Sequence, residues 1–132
     1  MSGQVVARGG TIREAFVEAV VGLFSRAIDP ATLEPRDVRE VRAHGESPQA
    51  LLAHWIDECR YLYEIEGFAC RTVRLAVFDA DSKVGGEPMR LHAFLHGEQL
   101  DPARHRAREM VTPSIAIRAT AEGHEIRLTF PD

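Results

Sequence analysis

An α+β domain, with two helices packed on a mainly antiparallel sheet, follows from three patterns in the sequence. Two stretches carry apolar residues at helical spacing, several later stretches alternate apolar and polar residues, and glycine, proline or acidic-glycine pairs punctuate the intervals between them. The chain of 132 residues suits a single domain, residues 1–132, large enough to bury most of the apolar surface that the unfolded chain exposes. A hydrophobic fraction of 45% and a charged fraction of 27% fit a packed core rather than disorder.

Gln4 to Ala7 read as a short strand, broken by Gly9-Gly10 before Thr11, a good N-cap residue. From there Ile12, Ala15, Phe16, Ala19, Val20, Leu23, Phe24 and Ala27 follow the i, i+3, i+4, i+7 rule, which predicts an amphipathic helix. Asp29-Pro30 stops it, because proline disfavours helical geometry in the preceding residue and has no amide hydrogen to donate. The charge-rich run from Arg36 to Ala43 alternates approximately and reads as an exposed edge strand. Ser47-Pro48 places a hydroxyl cap and then proline at the start of a second helix running to about Tyr63, with Leu51, Leu52, Trp55, Ile56, Cys59, Leu62 and Tyr63 as its apolar stripe.

After Glu66-Gly67 the period changes to two. Val73, Leu75 and Val77 fall on one side of a strand, with Thr72, Arg74, Ala76 and Phe78 on the other. A turn at Gly85-Gly86 leads to a hairpin partner in which Met89, Leu91, Ala93 and Leu95 alternate with Arg90, His92, Phe94 and His96. Ser114 to Ala119 and Ile126 to Phe130 form a second hairpin, turned at Glu122-Gly123.

Several function classes lose support at this level. A net charge of −4, from 16 basic and 20 acidic residues, supplies no broad positive field for phosphate-backbone binding, so direct nucleic-acid recognition is not expected. No segment reaches the roughly 18 apolar residues of a membrane span, and a cytoplasmic protein is expected. Cys59 and Cys70 lack paired metal or redox spacing and read as buried thiols. His92 and His96 share a strand face about 13 Å apart, too far for one zinc ion. His44, His105 and His124 are expected in loops, and His54 opposite the apolar stripe. No serine, cysteine or threonine has a nucleophile setting, so a stand-alone enzyme is disfavoured. Arg104, Arg106 and Arg108 alternate with Ala103, His105 and Ala107, giving either a basic strip for phosphate or an exposed charged loop.

Three segments, ARGGTIREAFVEAVVGLF at Ala7 to Phe24, LLAHWIDECRYLY at Leu51 to Tyr63 with Glu46 ahead of it, and LHGEQLDPARH at Leu95 to His105, resemble the archease family in their order and spacing. The resemblance implies an accessory protein that helps a GTP-dependent, metal-requiring RNA-splicing ligase reach its guanylated state and turn over. It also implies an acidic pocket holding a divalent cation, calcium or magnesium, built from a first-strand aspartate, a lysine before the penultimate hairpin and an aspartate closing the last strand. The first of these would fall at or before Met1 to Gly3, where no acid stands, and Glu109 occupies the lysine position in Glu109-Met110-Val111-Thr112-Pro113-Ser114. Asp132 matches the closing aspartate, and Glu46, Glu98, Asp101 and His105 complete the set of candidate metal ligands. Asp57 and Glu58 have a competing reading as the solvated face of the second helix, and Asp101 as the cap of a turn at Pro102. The altered pocket gives the alternative expectation of an archease-fold protein-interaction or small-ligand module that does not activate a ligase.

Overall fold

The computed structural model describes residues 3–80 and 87–131. Along the chain run β1 (Gly3–Gly9), α1 (Ile12–Ala27), a short 3-10 turn (Pro30–Thr32), β2 (Asp37–Gly45), α2 (Pro48–Glu64), β3 (Phe68–Asp79), β4 (Met89–Gln99), β5 (Ser114–Thr120) and β6 (Gly123–Phe130). Both helix starts obey their local chemistry. The Thr11 side chain accepts from the Glu14 amide, and Ser47 accepts from the Ala50 amide with Pro48 in the first turn. At the other end of α1, Asp29 caps the 3-10 turn by accepting from the Ala31 amide.

The strands are divided between two antiparallel sheets, ordered β1-β6-β5 and β2-β4-β3, where the sequence pattern led to one. The division follows from the pairing of the first strand with the last, Gly3 opposite Phe130 through Gly9 opposite His124. The two helices lie between the sheets: α1 packs on β1, β6 and β3, and α2 on β2, β3, β4 and β5. An apolar stripe broad enough to meet two sheets makes this arrangement favourable, and Ala15, Phe16, Ala19, Val20, Leu23, Phe24 and Ala27 are all buried. Phe16 stacks on Trp55 of α2 at 6.4 Å and meets Phe78 of β3 edge-on at 4.9 Å, so one side chain joins three elements. Gly22 lets β1 approach α1 closely, since a Cβ there would strike the Val5 side chain.

As expected, β2 is an edge strand; β4, expected as the hairpin partner of β3, is the central strand. The alternation expected of β3 holds only to Leu75. Register shifts between Cys70 and Thr72 and between Leu75 and Val77 add residues to the strand and exchange its faces. Leu75 is therefore buried, Val77 is 43% exposed, and Phe78 turns inward to Phe16. At the first shift the strands come so close that a Cβ on Gly97 would collide with the Ala69 carbonyl. The expected Gly85-Gly86 turn lies outside the described residues. The last hairpin turns at Ala121-Glu122, with Gly123 opening β6 at a φ of 148°. His44 and His124, expected in loops, belong to β2 and β6.

Cys59 and Cys70 are free and buried. Burial pushes the Cys59 thiol well above its ordinary range and Cys70 up to about 12, which leaves both poor nucleophiles. Among the described residues no helix is long and apolar enough to cross a membrane.

Candidate functional site

Of the candidate ligands, Glu98, Asp101 and His105 come together at the end of β4. Glu98 lies on the same strand face as His92, Phe94 and His96, a face that would be open to water. Chain from Thr32 to Glu34 and the turn at Asp101 to His105 cover it, leaving it 5% exposed. A carboxylate so placed must have its oxygens satisfied. Oε1 accepts from Arg104 Nη1 at 2.5 Å, and Oε2 accepts from the Glu34 amide at 2.8 Å. The Arg104 hydrogen bond first, and the Glu34 amide second, hold the Glu98 carboxyl down to about 2.

His105, with its side chain 1% exposed, is fixed on both ring nitrogens. Nδ1 accepts from the Asp101 amide at 2.9 Å; a backbone N–H can only donate, so the ring proton of the neutral imidazole is on Nε2. Nε2 faces the Thr32 carbonyl at 3.3 Å and Glu98 Oε2 at 3.4 Å. Asp101 caps the turn, the structural reading given above: Oδ1 accepts from the Ala103 amide at 2.9 Å, and its carbonyl accepts from the amides of Arg104 and His105.

The remaining candidates are elsewhere. Glu46 is exposed in the bend between β2 and α2. Its neighbour Gly45 pairs with Met89 at the start of β4, whereas Gly97 pairs with Asp37 near the end of that strand, so about 27 Å of strand separates the two places. Glu46 does not join Glu98. Asp57 is exposed, and Glu58 faces His54 Nε2 at 3.4 Å across one helical turn. Asp132 lies outside the described residues.

Glu98, Asp101 and His105 do not fit a divalent cation as they stand. Both Glu98 oxygens and both His105 nitrogens already have partners, and a guanidinium occupies the place beside Glu98 that a hard cation would need. Among the described residues no group of three or more His, Cys, Asp or Glu side chains is arranged to hold a metal ion. The spacing of LHGEQLDPARH thus has a structural explanation, a turn locked onto the end of β4.

Beyond this turn the chain is pinned to both helices. The Arg108 amide donates to the Ala27 carbonyl at 2.7 Å, the Tyr63 hydroxyl donates to the Arg108 carbonyl at 2.5 Å, and Arg60 Nε donates to the Met110 carbonyl at 3.3 Å. Met110 is buried, and Glu109 beside it is exposed. Glu109 stands at a cleft of about 180 Å³ lined by Leu23, Arg26, Arg108, Val111 and Phe130, where the Arg26 guanidinium rests over the Phe130 ring at 4.3 Å. Arg106 and Arg108 are exposed, and among the described residues only Arg104 of the alternating trio is committed to an acid, Glu98. Sequence spacing missed Arg104 as the counter-charge of Glu98 and missed the three arginines that surround Glu125. The second group had a readable signal, since Arg118 and Glu125 stand at equal distances from the hairpin turn.

The chain matches the model of the Archease protein family over residues 3–129. It is 34% identical over 103 residues to Protein archease of Thermococcus gammatolerans, covering 78% of this chain and 69% of that protein. Protein archease-like of Drosophila melanogaster is 24% identical over 114 residues, 82% of this chain and 73% of that protein. The solution structure of Methanobacterium thermoautotrophicum protein 1598 superposes with a TM-score of 0.71 at 16% identity, over 99% of this chain and 91% of that one, a likeness of fold.

Proposed function

This chain belongs to the archease family, and we propose that it serves in the cytoplasm as an accessory protein to an RNA-splicing ligase, assisting guanylation and turnover of that enzyme. The match across residues 3–129 carries the reading, because it spans both sheets and both helices rather than one motif. The role is that of a partner and not of a stand-alone catalyst. It agrees with two thiols made inert by burial and with histidines engaged in hydrogen bonds.

A multiple-turnover guanylation assay on the ligase from the same organism tests it. Added protein is expected to raise the number of guanylated turnovers well above one per ligase and to co-elute with the ligase. Absence of both binding and stimulation would sink the proposal.

One observation favours a second reading, an archease-fold interaction module without ligase activation. Glu98 and His105 are spent on internal bonds, and the lysine implied by the family resemblance is Glu109 here. Glu109→Lys separates the two readings. Stimulation gained only by the variant would assign the wild-type chain to the second.

A further inference from the structure

The solvent face of the β1-β6-β5 sheet concentrates arginine around one acid. Antiparallel register places Arg8 of β1 and Arg118 of β5 on either side of Glu125 in β6, and Arg127, two residues along β6, points from the same face. Glu125 accepts from Arg118 Nε at 2.9 Å and from Arg8 Nε at 3.2 Å, and Arg127 Nη2 is 3.5 Å away. Three guanidinium groups on one carboxylate leave two positive charges that, among the described residues, have no acidic partner.

The geometry also leaves donors unused. Arg8 and Arg118 reach Glu125 through Nε, which frees the edge of each guanidinium fork formed by the two terminal nitrogens. Arg127 Nε is buried without a hydrogen-bond partner, an arrangement that calls for an acceptor. Arg118 and Arg127 border a hollow of about 210 Å³ with Ala116 and Glu125, where the small Ala116 side chain leaves room between the two arginines; Arg8 lies on the far side of Glu125. Glu122, the other nearby acid, sits on the hairpin turn and lines a separate hollow with Arg8 and His124.

We propose that this face binds an acidic, extended segment of a partner protein, whose carboxylates take the unused guanidinium edges of Arg118 and Arg127, with Arg8 on the far side of Glu125 adding to the positive field. The extended form follows from the sheet edge. β5 is an outer strand, so a chain laid beside it can hydrogen-bond to its free side and present every second side chain on the face of Ala116 and Arg118. Charge favours a short acidic segment over RNA. The surplus is confined to one patch on a chain of net charge −4, and a long polyanion would extend more than the roughly 8 Å screening length onto repulsive surface. The inference stands on this sheet face and does not depend on the ligase reading.

A short acetylated peptide alternating Val and Glu, its Val and Gln analogue, and a single-stranded oligoribonucleotide of equal charge, each titrated into the isotope-labelled protein, form the test. The Glu peptide is expected to shift the β5 and β6 amides and the Arg127 Nε–H resonance, and to weaken steeply with added salt. The Gln analogue, and Arg118→Gln combined with Arg127→Gln, are each expected to weaken binding about tenfold or more. Arg42→Gln on the other sheet serves as the control and should change nothing. No saturable binding of the Glu peptide, equal binding of the two peptides, indifference to the double substitution, or tighter binding of the oligoribonucleotide would overturn the proposal. Both arginines are substantially exposed, with side chains 68% and 43% accessible, so the variants are expected to fold.

Discussion

Glu98 and Glu125 are almost equally hidden, 5% and 4% exposed, yet they organise opposite surroundings. Glu98 has one arginine, one backbone amide and a neutral histidine ring, and its charge is balanced by Arg104 alone. Glu125 has three arginines and no backbone donor, so its surroundings are overcharged by two. A balanced carboxylate with every oxygen bonded to its own chain is a clamp: it fixes a turn and offers little to a ligand. An outnumbered one organises side chains that keep donors unspent. Burial alone therefore does not identify a binding site, but the tally of donors left over does.

His105→Ala should break this contrast most forcefully. It removes a buried ring, leaves the Asp101 amide without its acceptor, and frees the turn that covers Glu98. A loss of about 2–4 kcal/mol is expected in urea unfolding. The same experiment on Arg118→Ala should show a far smaller loss, since that side chain is mostly solvated. Equal losses at the two sites would mean that the Glu98 turn is not a clamp.

Next in size is a pH effect. The Glu98 carboxyl is held at about 2, below its ordinary value of 4.5, so folding stability from this group is complete above about pH 4.5 and drains away as pH falls toward 2. Arg104→Gln removes the largest cause of the depression. The variant should be less stable than wild type at pH 7, and the gap should narrow steadily between pH 4.5 and 2. A gap that stays constant over that interval would show that Arg104 acts through packing and not through the Glu98 charge. Glu125 and Glu40 are also held low, by Arg118 and His92 respectively as the first cause, so the wild-type acid limb is shared.

Much of this fold was legible in residue spacing, and the illegible parts share one cause. Thr11, Ser47 and Pro48 act through neighbours three or four residues away, and the stripes of α1 and α2 repeat at helical period, so local chemistry specifies both helices. The division into two sheets depends on Gly3 meeting Phe130, a pairing that no local window contains. The shift between Leu75 and Val77 reverses the faces of Val77 and Phe78, and at the other shift Gly97 lets β4 crowd Ala69; both depend on pairing between strands and not on a local window. At the candidate site the family-like run marked the right turn but not its chemistry. Whether Glu98 and His105 are free to ligate is decided by Glu34 and Thr32, more than sixty residues earlier in the chain.

The smallest expected effect is the most discriminating. In Glu125→Gln the carboxylate that gathers three guanidinium groups becomes a neutral amide of similar shape. If Glu125 were a clamp like Glu98, the thermal midpoint would fall clearly. An outnumbered acid predicts otherwise, because Arg8, Arg118 and Arg127 can each return to water and their mutual repulsion is shared with solvent. The midpoint should move by only about 2 °C or less at moderate salt, with a slightly larger fall at low salt, where the three positive charges are less screened. The same substitution should weaken the acidic peptide as well, although it removes a negative charge from the patch. Glu125 holds the arginine forks in position, and on this account loss of that order outweighs the gain in net charge. Tighter peptide binding by Glu125→Gln would show instead that the patch attracts by charge alone and that its geometry contributes nothing.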